Sequence, residues 1–454
     1  MSGLTASMMM AVQSVLANQG ALEVTTDNIA NANTPGYTRK RPVLVEGPPA
    51  LEGNLVVGTG VRFQGIQSIR DRLIEFRIND ETAQQARADS QLAALQQVEN
   101  QFSSDSSGIS ADMTAFFNAV SQLSLDPSSA SQRQAVLTKA QNVADSFHNS
   151  ATLLNQVRAN LNLSVGESVQ QVNALTQKIA ELNGKVDQMQ KLGQEPGGLE
   201  DQRVELIKQL SGLIDVNTIT TEHGDTLTTG DGTALVVGGQ SFSLQLSADS
   251  AGMQRVMAFG QDITASIKGG KLAGALNVRD QVIPDLQNKI DTLASDFASA
   301  INTAHRSGFD LNGAAGGDLF SVSSTVAGSA SSIGVAINST DKIAASSDGS
   351  AGSSGNCTVL TAVQNQKLSS GANALESYSN IVFRVGSLTA QTKAEIDATD
   401  VTLQQLQNQR GSISGVSIDE ESANLIRYQH AFQAAARVVS VIDEMTRTIL
   451  QMTS

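Results

Sequence analysis

Tryptophan is absent from the 454 residues, tyrosine occurs three times, and aromatic residues together make up 4% of the chain. Cores of this composition are aliphatic, built from Leu, Val, Ile and Ala. They suit long helices packed side by side better than an aromatic-lined small-molecule pocket. The single cysteine, Cys357, excludes an internal disulfide framework and any multi-cysteine metal site. The four histidines (His148, His223, His305, His430) are scattered, which leaves few candidates for zinc or acid–base chemistry. Charged residues amount to 16%, against about 25% in an average soluble protein. With 44 acids to 30 bases the net charge is −14, the wrong sign for a nucleic-acid-wrapping surface. No apolar run approaches the roughly 18 residues of a membrane span, so no membrane insertion is expected. The first 16 residues lack the positive segment of a secretory signal, and the first basic residue is Arg39. By that rule alone the chain reads as cytoplasmic.

What the sequence does have is a set of seven-residue repeats. Near the start, Met8, Val15, Leu22 and Ile29 are spaced by sevens, and Leu4, Ala11, Asn18, Thr25 and Ala32 fill a companion seam. Near the end, Ile418, Leu425, Phe432 and Val439 repeat the pattern, with Tyr428, Ala435, Ile442 and Ile449 beside them. Such spacing predicts helices packed lengthwise against other helices, here as a coiled-coil pair of chain ends, each about 45–50 Å long. Isolated helices are marginal in water, so residues 1–45 and 409–454 are expected to be disordered in the free chain.

A third repeat lies inside: Val165, Val172, Ile179 and Val186 alternate with Leu175, Leu182 and Met189, and Gly193 is the expected stop. Residues 81–104, 199–214 and 388–410 (before Gly411) also read as helices, as does 269–309 with Pro284 in a first turn. Between 215 and 267 the texture changes to short β-rich runs at 216–221, 234–237, 241–246 and 255–259, separated by turn residues. Residues 321–356 are rich in Ser, Gly and Ala, with a strand-like piece at 333–337. The expected fold is mainly α with a β insert, in three parts. Residues 1–45 with 409–454 form a terminal helical domain, and 46–214 with 268–320 and 357–408 a helical-bundle middle domain. Residues 215–267 with 321–356 form a small β-rich outer domain.

Enzyme signatures are missing: no G-x-S-x-G elbow, no H-E-x-x-H and no phosphate-binding G-x-x-x-x-G-K. Gly58-Thr59-Gly60 reads as a turn, because Phe63 stands where a dinucleotide fingerprint needs its third glycine. Asp310-Leu311-Asn312-Gly313, followed by Asp318, reads as a tight loop, since the twelve-residue calcium pattern ending in Glu is absent. His430 falls beside the terminal seam, and Cys357 is placed in a polar loop without the electropositive setting of a reactive thiol. No catalytic, cofactor-binding or metal-ligating residue is assigned, and no enzyme is expected.

The segment 30–39, ANANTPGYTR, has a physical meaning of its own. Thr34 precedes a proline and is pushed out of helical geometry; Pro35 and Gly36 are suited to the centre of a type II turn. The string following a heptad helix resembles the signature of the bacterial flagellar axial proteins (rod, hook and hook-associated proteins), carried here by Asn31, Asn33, Thr34, Pro35, Gly36, Tyr37 and Arg39. Residues 415–445, GVSIDEESANLIRYQHAFQAAARVVSVIDEM, resemble the end of the same group. TPGY followed by Arg resembles the hook-associated branch rather than hook or distal rod protein. Residues 58–69 (GTGVRFQGIQSI), 195–203 (EPGGLEDQR) and 270–320 (GKLAGALNVRD through FDLNGAAGGDLF) agree in order. The family's outer domain is reduced here, and GSAGSSGN at 349–356 departs from its usual Gly-Asp-Asn stretch.

The resemblance implies a structural adaptor at the hook–filament junction that assembles with copies of itself. The partners it implies are hook protein, a second junction protein and a cytoplasmic export chaperone at the C-terminal region. It also implies passage through the flagellar type III apparatus to the extracellular flagellum without a cleaved signal, which replaces the cytoplasmic reading. Another axial part, hook protein or the second junction protein, is the alternative. In either case the seven-spaced residues of the two chain ends are the expected assembly interface.

Overall fold

The computed structural model describes residues 2–34, 36–52, 55–102, 108–192, 196–221 and 224–453; Pro35, Gly193 and His223 lie outside them. The first seam forms one helix, α1 (Ser2–Ala30). Behind it the chain makes an antiparallel hairpin of β1 (Lys40–Glu46) and β4 (Val61–Ser68), whose connection carries the short pair β2 (Ala50–Glu52) and β3 (Leu55–Val57). The sequence reading places helical domain from residue 46 onward. The period-two pattern of KRPVLVE and VRFQGIQS forms strands there instead, with Pro42 at the margin and a bulge between Val43 and Leu44.

Three helices follow: α2 (Arg72–Phe102), which starts well before residue 81, α3 (Ile109–Leu123) and α4 (Ala130–Lys191). The Ser129 side chain caps α4 by accepting from the backbone N–H of Gln132. Val165, Val172, Ile179 and Val186 of the internal repeat are all buried. After α5 (Gly198–Ser211) come two antiparallel sheets. One pairs β5 (Asn217–Thr221), β6 (Gly224–Thr228), β7 (Ala234–Val237) and β8 (Gln240–Ser241); the other pairs β9 (Gln245–Ala248), β10 (Gln254–Ala258) and β11 (Gln261–Asp262). Next, α6 (Gly270–Asn277) runs through a π-helical turn at Val278–Val282 into α7 (Ile283–Arg306), with Pro284 in the first turn of α7. Short pieces follow: β12 (Phe320–Ser321), α8 (Ser329–Ser332), β13 (Gly334–Val335) and α9 (Gly355–Ala362). The chain ends in α10 (Ala374–Ser414), started by an Asn373/Glu376 capping box, and α11 (Ile418–Thr453). The protein is therefore mainly helical with small β sheets, and among the described residues no helix is long and apolar enough to cross a membrane.

Two hydrophobic cores share α4, the second of them aliphatic as the composition predicts. The first gathers α3, α7, α9, the early half of α4 and the start of α10 around Phe116, Phe117, Phe297 and Phe320. The second joins the later half of α4 with α5, α6 and both sheets through Leu227, Leu235, Val256 and Ile267. Buried arginines bolt the sheets to the helices. Arg203 pairs with Asp225 at 2.9 Å and donates to Asn183 Oδ1 at 3.1 Å. Arg279, on the π-helical turn, donates to Asn162 Oδ1 and to the Gln254 carbonyl at 2.9 and 2.8 Å.

Two sequence expectations are corrected here. Residues 321–356 do not join 215–267: Ala330, Ile333, Ile343 and Ala345 bury themselves in the first core, because their sparse apolar residues face α4 and α7. Cys357 is not in a polar loop but fully buried in α9, where burial pushes its thiol pKa up to about 11. The loop at Asp310 is closed by its own carboxylate, which accepts from the N–H groups of Asn312 and Ala314 at 2.9 Å, while Asp318 pairs with Arg306. His305 is a satisfied core residue. Its Nε2 accepts from the Ala344 N–H at 2.9 Å, so Nδ1 carries the proton and donates to the Gly317 carbonyl at 2.7 Å.

Candidate functional site at the terminal helices

The helices α1 and α11 lie along one another, and among the described elements α11 packs on α1. Asn28 near the end of α1 bonds Glu421 in the first turn of α11, so the two run antiparallel. The companion seam does the packing. On α1, Ala11, Asn18 and Thr25 are buried together with Ala17, Ala21, Val24 and Asn28; Leu4, Met8, Val15, Leu22 and Ile29 are half-buried, as is Ala32 in the turn beyond the helix. On α11, Ala435 and Ile442 are buried, Leu425, Tyr428, Phe432 and Val439 are half-buried, and Ile418 and Ile449 are exposed. The other side of α1 rests partly on the hairpin β1–β4. Gly20 leaves room there: a Cβ at that position would sit 2.9 Å from the Phe63 ring.

Both helices keep apolar residues in water. Met9 and Leu16 of α1 are 63% and 60% exposed, with Val12 between them. At 100° per residue these three lie opposite Ala11, Asn18 and Thr25, so the first half of α1 carries apolar residues on its open side as well as on its packed one. Further along, the outer face is Gln19, Glu23, Thr26 and Asp27. On α11, Val438, Val441, Met445 and Met452 form an open line beside the covered one.

The signature segment is the clasp at the base of this pair. The Thr34 carbonyl accepts from the Tyr37 N–H at 3.2 Å and Gly36 has φ +80°, the bond and conformation of a type II turn. Asn31 donates back to the Asp27 carbonyl at 2.9 Å, and Asn33 is exposed. The Tyr37 hydroxyl donates to Asn28 Oδ1 at 2.9 Å and approaches Asp27 Oδ2 at 3.1 Å; burial, then the Asp27 charge, raise its pKa. Arg39 reaches α11, placing Nε and Nη2 on Glu421 Oε1 at 2.8 and 2.7 Å and Nη1 on Glu420 at 2.7 Å. Its backbone N–H donates to the Ser414 carbonyl at the end of α10. Arg410 of α10 bonds the Gly36 carbonyl and pairs with Glu75 of α2. Arg70 pairs with Asp201 of α5 at 2.6 Å and donates to Thr38.

Asn28, Glu421, Arg410 and Asp201 are therefore part of the clasp, although sequence reading assigned them no role. The available signal is weak: Asn28 is a polar residue on the Ala21 line of an otherwise apolar face, and Asp201 lies within EPGGLEDQR. Among the described residues no group of three or more His, Cys, Asp or Glu is placed to hold a metal. What the site's contacts do is tie α1, α2, α5, α10 and α11 together through the signature segment.

Comparison with known proteins agrees with this geometry. The family model for the helical domain of flagellar hook-associated protein FlgK matches residues 95–320. The chain ends match others: the flagella basal body rod protein model at 13–38, and the C-terminal model of the basal body rod FlgEFG proteins at 407–452. Flagellar hook-associated protein 1 of Bacillus subtilis is 30% identical over 96% of this chain and 95% of its own length. That of Escherichia coli is 25% identical over 97% and 98%. The solved flagellar hook junction protein FlgK from Burkholderia pseudomallei shares the fold, with a TM-score of 0.69 over 75% of this chain and all of its own, at 17% identity. A bacterial flagellar component of structural type, the chain belongs to the flagellar hook-associated protein 1 family.

Proposed function

We propose that this protein forms the hook–filament junction of the bacterial flagellum, assembling with copies of itself through α1 and α11. The observation that carries the reading is the pair of uncovered apolar lines, Met9, Val12 and Leu16 on α1 and Val438, Val441 and Met445 on α11. A helix with apolar residues on its open side as well as on its packed one needs a second neighbour, and within one chain α11 and the hairpin cover only part of α1. The seven-spaced seams pair α1 with α11 within the chain, and the lines beside them are left for neighbouring copies. In the free chain this pair, outside both cores, is held with less local stability than they are, and neighbouring copies add to it. Hook protein lies on one side of the ring and the second junction protein on the other. Before export, a cytoplasmic chaperone covers the open line of α11, and the chain leaves through the flagellar type III apparatus. Electron microscopy of tagged protein on intact flagella tests the reading: label belongs where hook meets filament. Label along the filament, or retention inside the cell with normal flagella, would refute it.

A further inference from the structure

We propose that Arg39 and Glu421 form a latch that sets the axial register of α11 on α1. This rests on the junction reading for its consequence in the cell, but its geometry stands alone. Between the two helices the buried contacts include small residues, Ala11, Ala17 and Ala21 facing a line that contains Ala435. Small aliphatic surfaces slide past one another at little cost, so they hold the helices together without fixing where along each other they stop. The polar cluster does fix it. Glu421 is 2% exposed, and its carboxylate accepts from Arg39 Nε and Nη2 on one oxygen and from Asn28 Nδ2 at 3.0 Å on the other. Asn28 is fully buried and spends its remaining capacity on the signature segment. It donates to the Lys40 carbonyl at 2.7 Å and accepts from the Lys40 N–H and the Tyr37 hydroxyl, both at 2.9 Å.

Moving α11 by one turn would take Glu421 away from both donors and leave Arg39 and Asn28 unmatched. A buried charge without its partner is strongly unfavourable, and setting register is the best-attested use of such groups. Glu420, the exposed second partner of Arg39, can follow the guanidinium in solvent and contributes little. The signature turn therefore decides where the C-terminal helix sits, although the two are separated by 382 positions in the chain.

The test is a spin–spin distance between labels at Gln19→Cys on α1 and Gln433→Cys on α11, both exposed sites, in the full chain carrying Cys357→Ala. One narrow distance is expected in this background and with Glu420→Gln. Arg39→Ala and Glu421→Gln should each add a second population displaced by about 5.4 Å, one helical turn, and the double variant should be no broader than the worse single one. An unchanged narrow distance in either single variant, a broad one in the background chain, or additive broadening in the double variant would overturn the latch. Immuno-electron microscopy of the same variants separates the two claims. Broadened distances with the unsubstituted protein absent from the hook tip would leave the latch standing and remove the junction reading. Unbroadened distances with that protein at the tip would do the reverse.

Discussion

Val441 and Ile442 are neighbours in sequence but face different partners, which allows contact within the chain to be separated from contact between chains. Ile442 is 8% exposed and belongs to the line facing α1, whereas Val441 is 50% exposed on the open line. Covering the remaining half of Val441 in an assembly is worth about 1 kcal/mol, since full burial of such a side chain gives roughly 1.5–3 kcal/mol. A carboxylate forced into the same contact without a partner costs several kcal/mol more, and every subunit of the proposed assembly would carry that penalty. In the free chain Val441→Asp loses what the covered half of the side chain contributes, so stability should fall by only about 1 kcal/mol. Ile442→Asp should instead loosen the α1–α11 pair itself, seen as faster amide exchange along both helices in the free chain. The assays are thermal melting with hydrogen exchange of the purified proteins, and hook-tip labelling with filament counts in cells. Normal filaments on Val441→Asp cells, or a loss above about 2 kcal/mol in that variant's free chain, would show that the open line is not an assembly surface.

The remaining predictions concern the cores. Phe297→Ala, which empties the centre of the phenylalanine cluster, should cost about 3–5 kcal/mol by urea denaturation, while Phe297→Leu should retain most of that stability. Burial holds the His305 pKa below its ordinary 6.5, opposed by its bond to the Gly317 carbonyl. The unfolded chain therefore takes up a proton that the folded one refuses as pH falls below about 6.5, and stability drops by up to about 1.4 kcal/mol per pH unit; His305→Gln should lack this loss, narrowing its deficit relative to the parent at acid pH. The Cys357 thiol should resist a thiol reagent at pH 8 in the native protein and react at once in urea, given its buried site and a pKa pushed up to about 11. Replacing residues 217–266 by a short Gly/Ser linker should broaden and lower the melting transition, because it uncovers Val165, Val172 and Ile179 in the second core.

The seven-residue seams were legible because a helix converts spacing directly into a face, and Val165, Val172, Ile179 and Val186 are buried as that spacing requires. The same rule ranks seams poorly: Met8, Val15 and Leu22 are the more apolar line, yet the companion line of Ala11, Asn18 and Thr25 is the buried one. Close approach of α11 and the hairpin selects small residues over large ones, and a list of hydrophobicities does not show that. The β1–β4 hairpin carried a readable alternation that the surrounding helical signals masked. Residues 321–356 looked like low-complexity outer material, but four or five apolar side chains among many serines suffice to anchor a segment in a core. The clasp was half legible. Its turn followed from Pro35 and Gly36, whereas Arg39 on Glu421 is a contact across most of the chain that no local pattern can reveal.

The continuity of α4 has a mechanical consequence. Its 62 residues make an unbroken rod about 93 Å long, and Leu161 touches both cores at the point where one gives way to the other. Neither core is joined to the other by a loop at that point, so a sideways force on the sheets has no slack to take up. It travels as bending of a hydrogen-bonded spar into the phenylalanine cluster. A chain framed in this way behaves as a cantilever rather than as beads on a string, and stiffness at its periphery is set by how firmly the far end is gripped.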